Sequence, residues 1–163
     1  MKKIVILLNL IFLFSCNQAT KNTEIKSQEK QVHYSIQERL EKLKMKCIED
    51  GDAEAFGRLV DHYANTPSNY YELFPISIIM ANKYNNDNAR VTIYFQMIMM
   101  MNDGKRDDKL FFTLKEAEKE FIVAHLVDGL KNNNPGCKGL LKKILAGGYK
   151  IKNANPEIEN LIN

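Results

Sequence analysis

From residue 35 onward, apolar positions recur at helical intervals between short polar breaks. Ser35-Ile-Gln-Glu38 reads as a capping box, and Ile36, Leu40, Leu43 and Cys47 follow at i, i+4, i+7 and i+11, predicting a helix to about Glu49. Gly51 supplies a left-handed stop and Asp52 a cap, after which Ala55, Phe56, Leu59, Val60 and Tyr63 form a second stripe. Thr66-Pro67-Ser68 ends it. A third helix is expected over about Asn69 to Tyr84, with Leu73, Ile76, Ile79, Met80 and Tyr84 on one face; Pro75 either kinks it or marks its first turn. Asn85-Asn86-Asp87-Asn88 is a turn and cap. The helix it opens, Ala89 to Met101, is apolar on nearly every side and is expected to be the central buried one.

The remainder keeps the same grammar. Asn102 to Lys109 is a charged loop, and Thr113-Leu-Lys-Glu116 reads as a second capping box opening a helix to about Lys131, its face carried by Ala117, Phe121, Ala124 and Leu130. Asn134-Pro135 opens a helix with Leu140, Leu141, Ile144 and Leu145 that Gly147-Gly148 closes. Asn155-Pro156 starts a short terminal helix holding Ile158, Leu161 and Ile162. No segment sustains period-two alternation, so the expectation is an all-α fold of about six to seven helices in antiparallel pairs.

The first 33 residues follow other rules. Met1-Lys2-Lys3 precedes Ile4 to Phe14, where only Asn9 is polar. An 11-residue helix spans about 16 Å, half a bilayer core, so the stretch suits a secretory signal and not a membrane span. Leu13-Phe14-Ser15-Cys16 resembles the bacterial lipobox: an aliphatic residue three positions before a Cys and a small residue just before it. That resemblance implies cleavage after Ser15 and acylation of Cys16, with enough acyl chain for stable membrane attachment. Asn17 is not the Asp of the inner-membrane retention signal, which implies an outer-membrane anchor facing the periplasm. Residues 17–31 are polar and mixed in sign, a tether composition. The chain therefore divides into a signal at 1–15, a lipidated tether at 16–33 and a helical domain at 34–163.

Composition sharpens this picture at two points. The 163 residues are 45% apolar and 26% charged with no Trp, which fits one ordinary globular domain. The net charge of +3 falls when Lys2 and Lys3 leave with the signal, because 21 of the 23 Lys and Arg then face 20 acids. A near-neutral chain has no electrostatic footprint for nucleic acid. Cys47 and Cys137 lie on apolar helix faces; they could pair in an oxidising compartment or stay as buried thiols.

Internal periodicity gives the second resemblance. Gly51-Asp-x-x-Ala55-x-x-x-Leu59-x-x-x-Tyr63 is followed by a unit whose Ala89 stands 34 residues after Ala55, and by a third in which Cys137 takes the small position and Leu141 the large one. Residues 36–150 are similar to Sel1-like and tetratricopeptide repeats, which implies stacked antiparallel helix pairs in a short α-solenoid and a role in binding another protein. The middle unit departs from the pattern in its Gly positions and the last in its Ala.

Candidate chemistry is sparse. Tyr70, Tyr71 and Phe74 cluster beside Pro75 and are the candidate partner-binding residues. His125 has Asp128 one turn later, the spacing of a ligand pair or of a base and its orienter. Met97, Met99, Met100 and Met101 offer soft thioethers, though Met97 and Met101 also fit as core aliphatics. Nucleophile elbow, phosphate loop and Cys-x-x-Cys are missing, so no catalytic residue, metal ligand or cofactor is assigned. The expected function is a lipid-anchored periplasmic module that binds another protein. The alternatives are an immunity protein neutralising an incoming toxin, and a metal-binding or enzymatic periplasmic protein.

Overall fold

The computed structural model describes residues 35–152 and 156–162. The signal, Cys16 and the tether lie outside the described residues. The chain divides at Lys42. Up to that point residues 35–42 are helical and largely exposed, as part of α1, which covers 35–50. The larger unit adds α2 (Ala53–Ala64), α3 (Phe74–Lys83), α4 (Asp87–Met100), α5 (Glu116–Lys131), α6 (Pro135–Ala146) and α7 (Pro156–Ile162). Two 3₁₀ helices, Pro67–Leu73 and Asp108–Thr113, lie before α3 and α5. The fold is all-α, and the described residues contain no strand.

The three short connections share one construction. Gly51, Asn85 and Asn133 adopt left-handed φ of 68°, 54° and 60° after α1, α3 and α5. In each case the next residue is an Asx cap. Asp52, Asn86 and Asn134 accept the N–H of Ala55, Ala89 and Cys137 at 2.9–3.0 Å. Their own N–H groups donate back to Lys46, Met80 and Gly129 carbonyls. One residue thus closes the helix behind it and opens the one ahead, satisfying groups that helix ends otherwise leave bare. Each N–H partner is small and buried, and the residue four later (Leu59, Ile93, Leu141) is fully buried. Gly129 belongs to the same arrangement, since a β-carbon there would collide with the Cys137 sulfur.

α4 is the hub, packing against α3, α5, α6 and both 3₁₀ segments. From Tyr94 and Ile98 a core extends through Phe111, Ile122, Leu126, Leu130, Leu141 and Ile144 to Ile162. Phe111 stacks on Tyr94 and meets Tyr149 edge-on at 5.4 Å. Cys47 and Cys137 are free and fully buried, and burial pushes both thiols up to about 11.

Four expectations are corrected. The third helix splits: Pro67–Leu73 is 3₁₀, and α3 begins at Phe74 with Pro75 in its first turn, where a missing N–H is harmless. The second capping box does not form at Thr113, whose hydroxyl donates to Leu110 O inside the second 3₁₀ helix. Glu118 instead accepts from the Lys115 N–H, so the reciprocal partner sits two residues later. On α5, Ala117, Phe121 and Ala124 are exposed, while Ile122, Leu126 and Gly129 face inward with Leu130. Both sets obey the helical period, and the close approach of α6 at Gly129 decides between them. Met101 is likewise exposed and caps α4 instead of filling the core.

Asn134→Ala removes a cap and is expected to cost about 1 kcal/mol. Gly129→Ala forces a methyl into Cys137 and is expected to cost about 1–3 kcal/mol. Urea midpoints at unchanged m-value check both.

Candidate functional site

The 3₁₀ helix Pro67–Leu73 carries the aromatic cluster. Tyr70 and Tyr71 are neighbours at 6.5 Å between rings yet point to different surroundings. Tyr70 is half-buried, and its hydroxyl donates to Met99 O at 2.6 Å, tying the segment to the end of α4. Tyr71 is 55% exposed. Phe74 turns away toward α5, 6.5 Å from Phe121. The three candidate residues therefore do not form one patch: Tyr70 is tied to the end of α4, Tyr71 stands exposed, and Phe74 reaches toward Phe121.

Beside Tyr70 lies a groove of about 370 Å³ between α2 and α4, walled by Val60, Tyr63, Leu73, Phe95 and Met99 and with Arg106 at its rim. Gln96, only 3% exposed, is among its polar lining residues with Thr92. Its Nε2 donates to Tyr70 O at 3.1 Å, which sets the orientation of the amide, and its Oε1 has no partner among the described residues. The Arg106 guanidinium lies 3.6 Å above the Phe95 ring centre. At the Tyr63 end, that phenol donates to Glu72 at 2.8 Å and Lys44 pairs with the same carboxylate at 3.1 Å. The Tyr63 hydrogen bond, followed by that of Lys44, holds the Glu72 carboxyl below the usual range. Gln96 and Arg106 carried no sequence signal: a Gln on an apolar helix and an Arg in a charged loop are both ordinary.

A second polar cluster joins two of the turns. Arg90, 6% exposed, donates to Asp87 at 2.6 Å and to Asn85 at 2.7 Å. Asn132, from the α5–α6 turn, donates to Asp87 at 2.9 Å. Arg90 and Asn132 share the Asp87 carboxylate, which balances the Arg90 charge, while the Arg90 Nε has no hydrogen-bond partner among the described residues; the cluster reads as a structural clamp.

His125 is 8% exposed and lies edge-on to Phe121 at 4.7 Å. Asp128, its proposed mate, is exposed and pairs with Lys131 at 3.3 Å. Among the described residues no group of three or more His, Cys, Asp or Glu could hold a metal ion. Met97 packs against the core, Met99 lines the groove, and Met100 and Met101 are exposed, which scatters the thioethers.

No family model, curated protein or solved structure matches the chain.

Burial, then the nearby Arg90 charge, lowers the His125 pKa below its ordinary value near 6.5, against a weaker opposing pull from Asp128. Below about pH 6.5 the unfolded chain therefore binds a proton that the folded state refuses. Stability is expected to be full above that pH and to fall as pH drops toward the lowered value. His125→Gln should flatten the fall of the urea midpoint below about pH 6.5.

Proposed function

We propose that this protein is a lipid-anchored periplasmic module, tethered to the outer membrane through Cys16, whose helical domain binds another protein. The anchor rests on the sequence Leu13-Phe14-Ser15-Cys16 and the polar stretch behind it. Among the described residues no helix is long and apolar enough to cross a membrane. A Sel1-like scaffold is supported by the recurrence of Asx-x-x-small-x-x-x-aliphatic at the start of α2, α4 and α6, each time behind a left-handed residue. In such scaffolds, side chains between the stacked helices recognise partners.

The observation that carries the binding role is Tyr71. It stands 55% exposed beside Tyr70 on a segment that hydrogen bonds and core packing hold in place. A rigid aromatic that the fold leaves uncovered is a binding anchor available at little entropic cost.

Cys16→Ser is expected to abolish palmitate incorporation and move the protein from the membrane to the soluble fraction. Tyr71→Ala is expected to change stability by less than about 0.5 kcal/mol. The same variant should weaken capture of a membrane-derived partner by at least about tenfold. Undiminished capture by Tyr71→Ala would overturn the anchor assignment.

A further inference from the structure

The groove between α2 and α4 joins apolar walls to a single cation. Val60, Leu73, Phe95 and Met99 form the walls, with the rings of Tyr63 and Tyr70. The neutral polar side chains of the lining already donate inside the fold: Tyr63 Oη to Glu72, Tyr70 Oη to Met99 O, Thr92 Oγ1 to Asn88 O and Gln96 Nε2 to Tyr70 O. The Gly104 N–H is held by Met99 O as well. Arg106 differs from all of these, and it is the one charged residue lining the groove among the described residues. Its guanidinium carbon lies 3.6 Å from the centre of the Phe95 ring. Asp108 approaches only its Nε, at 3.6 Å, and no hydrogen bond engages its nitrogens among the described residues. A guanidinium stacked on an aromatic face is held in orientation while the N–H donors at its edge stay available.

We propose that this groove is a binding site for a small hydrophobic monocarboxylate, its apolar body between α2 and α4 and its carboxylate on Arg106. The site goes beyond the protein-binding role and does not depend on it. A volume of about 370 Å³ lies at the small end of the range for small-molecule sites. The body is apolar because the walls are, and because the donors along them are already engaged. The head is an acceptor because the only unengaged side-chain donors of the lining belong to Arg106. Its planar fork matches the two oxygens of a carboxylate with paired N–H···O bonds. One cation balances one negative charge, whereas a phosphate monoester would bring nearly two and find no second donor in the lining. An ammonium head would meet a like charge. Residues 102–109 carry three acids, Asp103, Asp107 and Asp108, against Lys105, Arg106 and Lys109. The loop thus has no net charge to attract anions at large, and the carboxylate is read by Arg106 alone.

Probes that share one body and differ in the head test the site: 4-phenylbutyrate, 4-phenylbutanol and 4-phenylbutylamine. The full-length protein is held in phospholipid nanodiscs, and saturation-transfer NMR reads each probe against empty nanodiscs. The expected result is saturable binding of 4-phenylbutyrate with Kd on the order of 0.1–1 mM, as befits a ligand of that size. The alcohol should bind at least about tenfold more weakly, and the amine more weakly still. Acetate, the head without the body, should not displace 4-phenylbutyrate at equal concentration. Arg106→Gln should bind the acid and the alcohol equally. Val60→Phe, which keeps Arg106 and fills the groove from α2, should lower the affinity for the acid at least about tenfold; it decides the matter if Arg106→Gln does not fold. No saturable binding of the acid, or equal binding of acid and alcohol by the wild type, overturns the proposal. Displacement by acetate, or undiminished binding by Val60→Phe, also overturns it, because Arg106 would then hold anions without the groove.

Discussion

Arg90 is the constraint around which the two best-defined helix pairs are arranged. A guanidinium taken out of water costs several kcal/mol unless its charge is balanced and its N–H groups are accepted. Here two of its nitrogens find acceptors in the chain's own turn, Asn85 in its left-handed conformation and Asp87 in the first turn of α4, while Nε has no partner among the described residues. Asn132 adds a donor to the same carboxylate from the following turn. The buried charge therefore demands that both turns keep their shape and their mutual distance. Cys137 joins the cluster through a weak contact to Asp87 O at 3.9 Å, which brings the start of α6 to the same place.

The turns themselves are economical. A left-handed residue reverses the chain, and the Asx residue after it serves two helix ends at once. Because the next inward position is Ala, Ala or Cys, the helices can approach closely, and a Leu or Ile one turn on fills the space beyond. The connections from α2 to α3 and from α4 to α5 follow no such rule. They are longer and contain 3₁₀ segments, and the first of them carries the exposed Tyr71, with Gln96 donating to its Tyr70 carbonyl.

That division places the candidate site. The short turns engage their Asx caps at two helix ends and bury their small residues. Around Pro67–Leu73, by contrast, the backbone is positioned by Tyr70 donating to Met99 O and by Gln96 donating to Tyr70 O, two bonds that reach across 29 and 26 residues. The segment is held in place by α4, and the groove lined by α2 and α4 lies beside it.

The helices, their Asx caps and the small-then-large pattern were legible from residue order, because capping and helical periodicity are local: a cap acts within three residues and a stripe within a few turns. Asp52, Asn86 and Asn134 needed no knowledge of the fold to be recognised. The face that α5 buries was not legible, since Phe121 and Leu126 lie on equally regular stripes and only the approach of α6 at Gly129 chooses between them. The same holds for Thr113, whose hydroxyl bonds inside a 3₁₀ turn, and for the separation of Phe74 from Tyr70 and Tyr71. Local order determined where helices start and stop. Which faces meet, that Arg90 is buried, and that Gln96 Oε1 is left without a partner were decided by contacts between distant segments, which only the tertiary structure brings together.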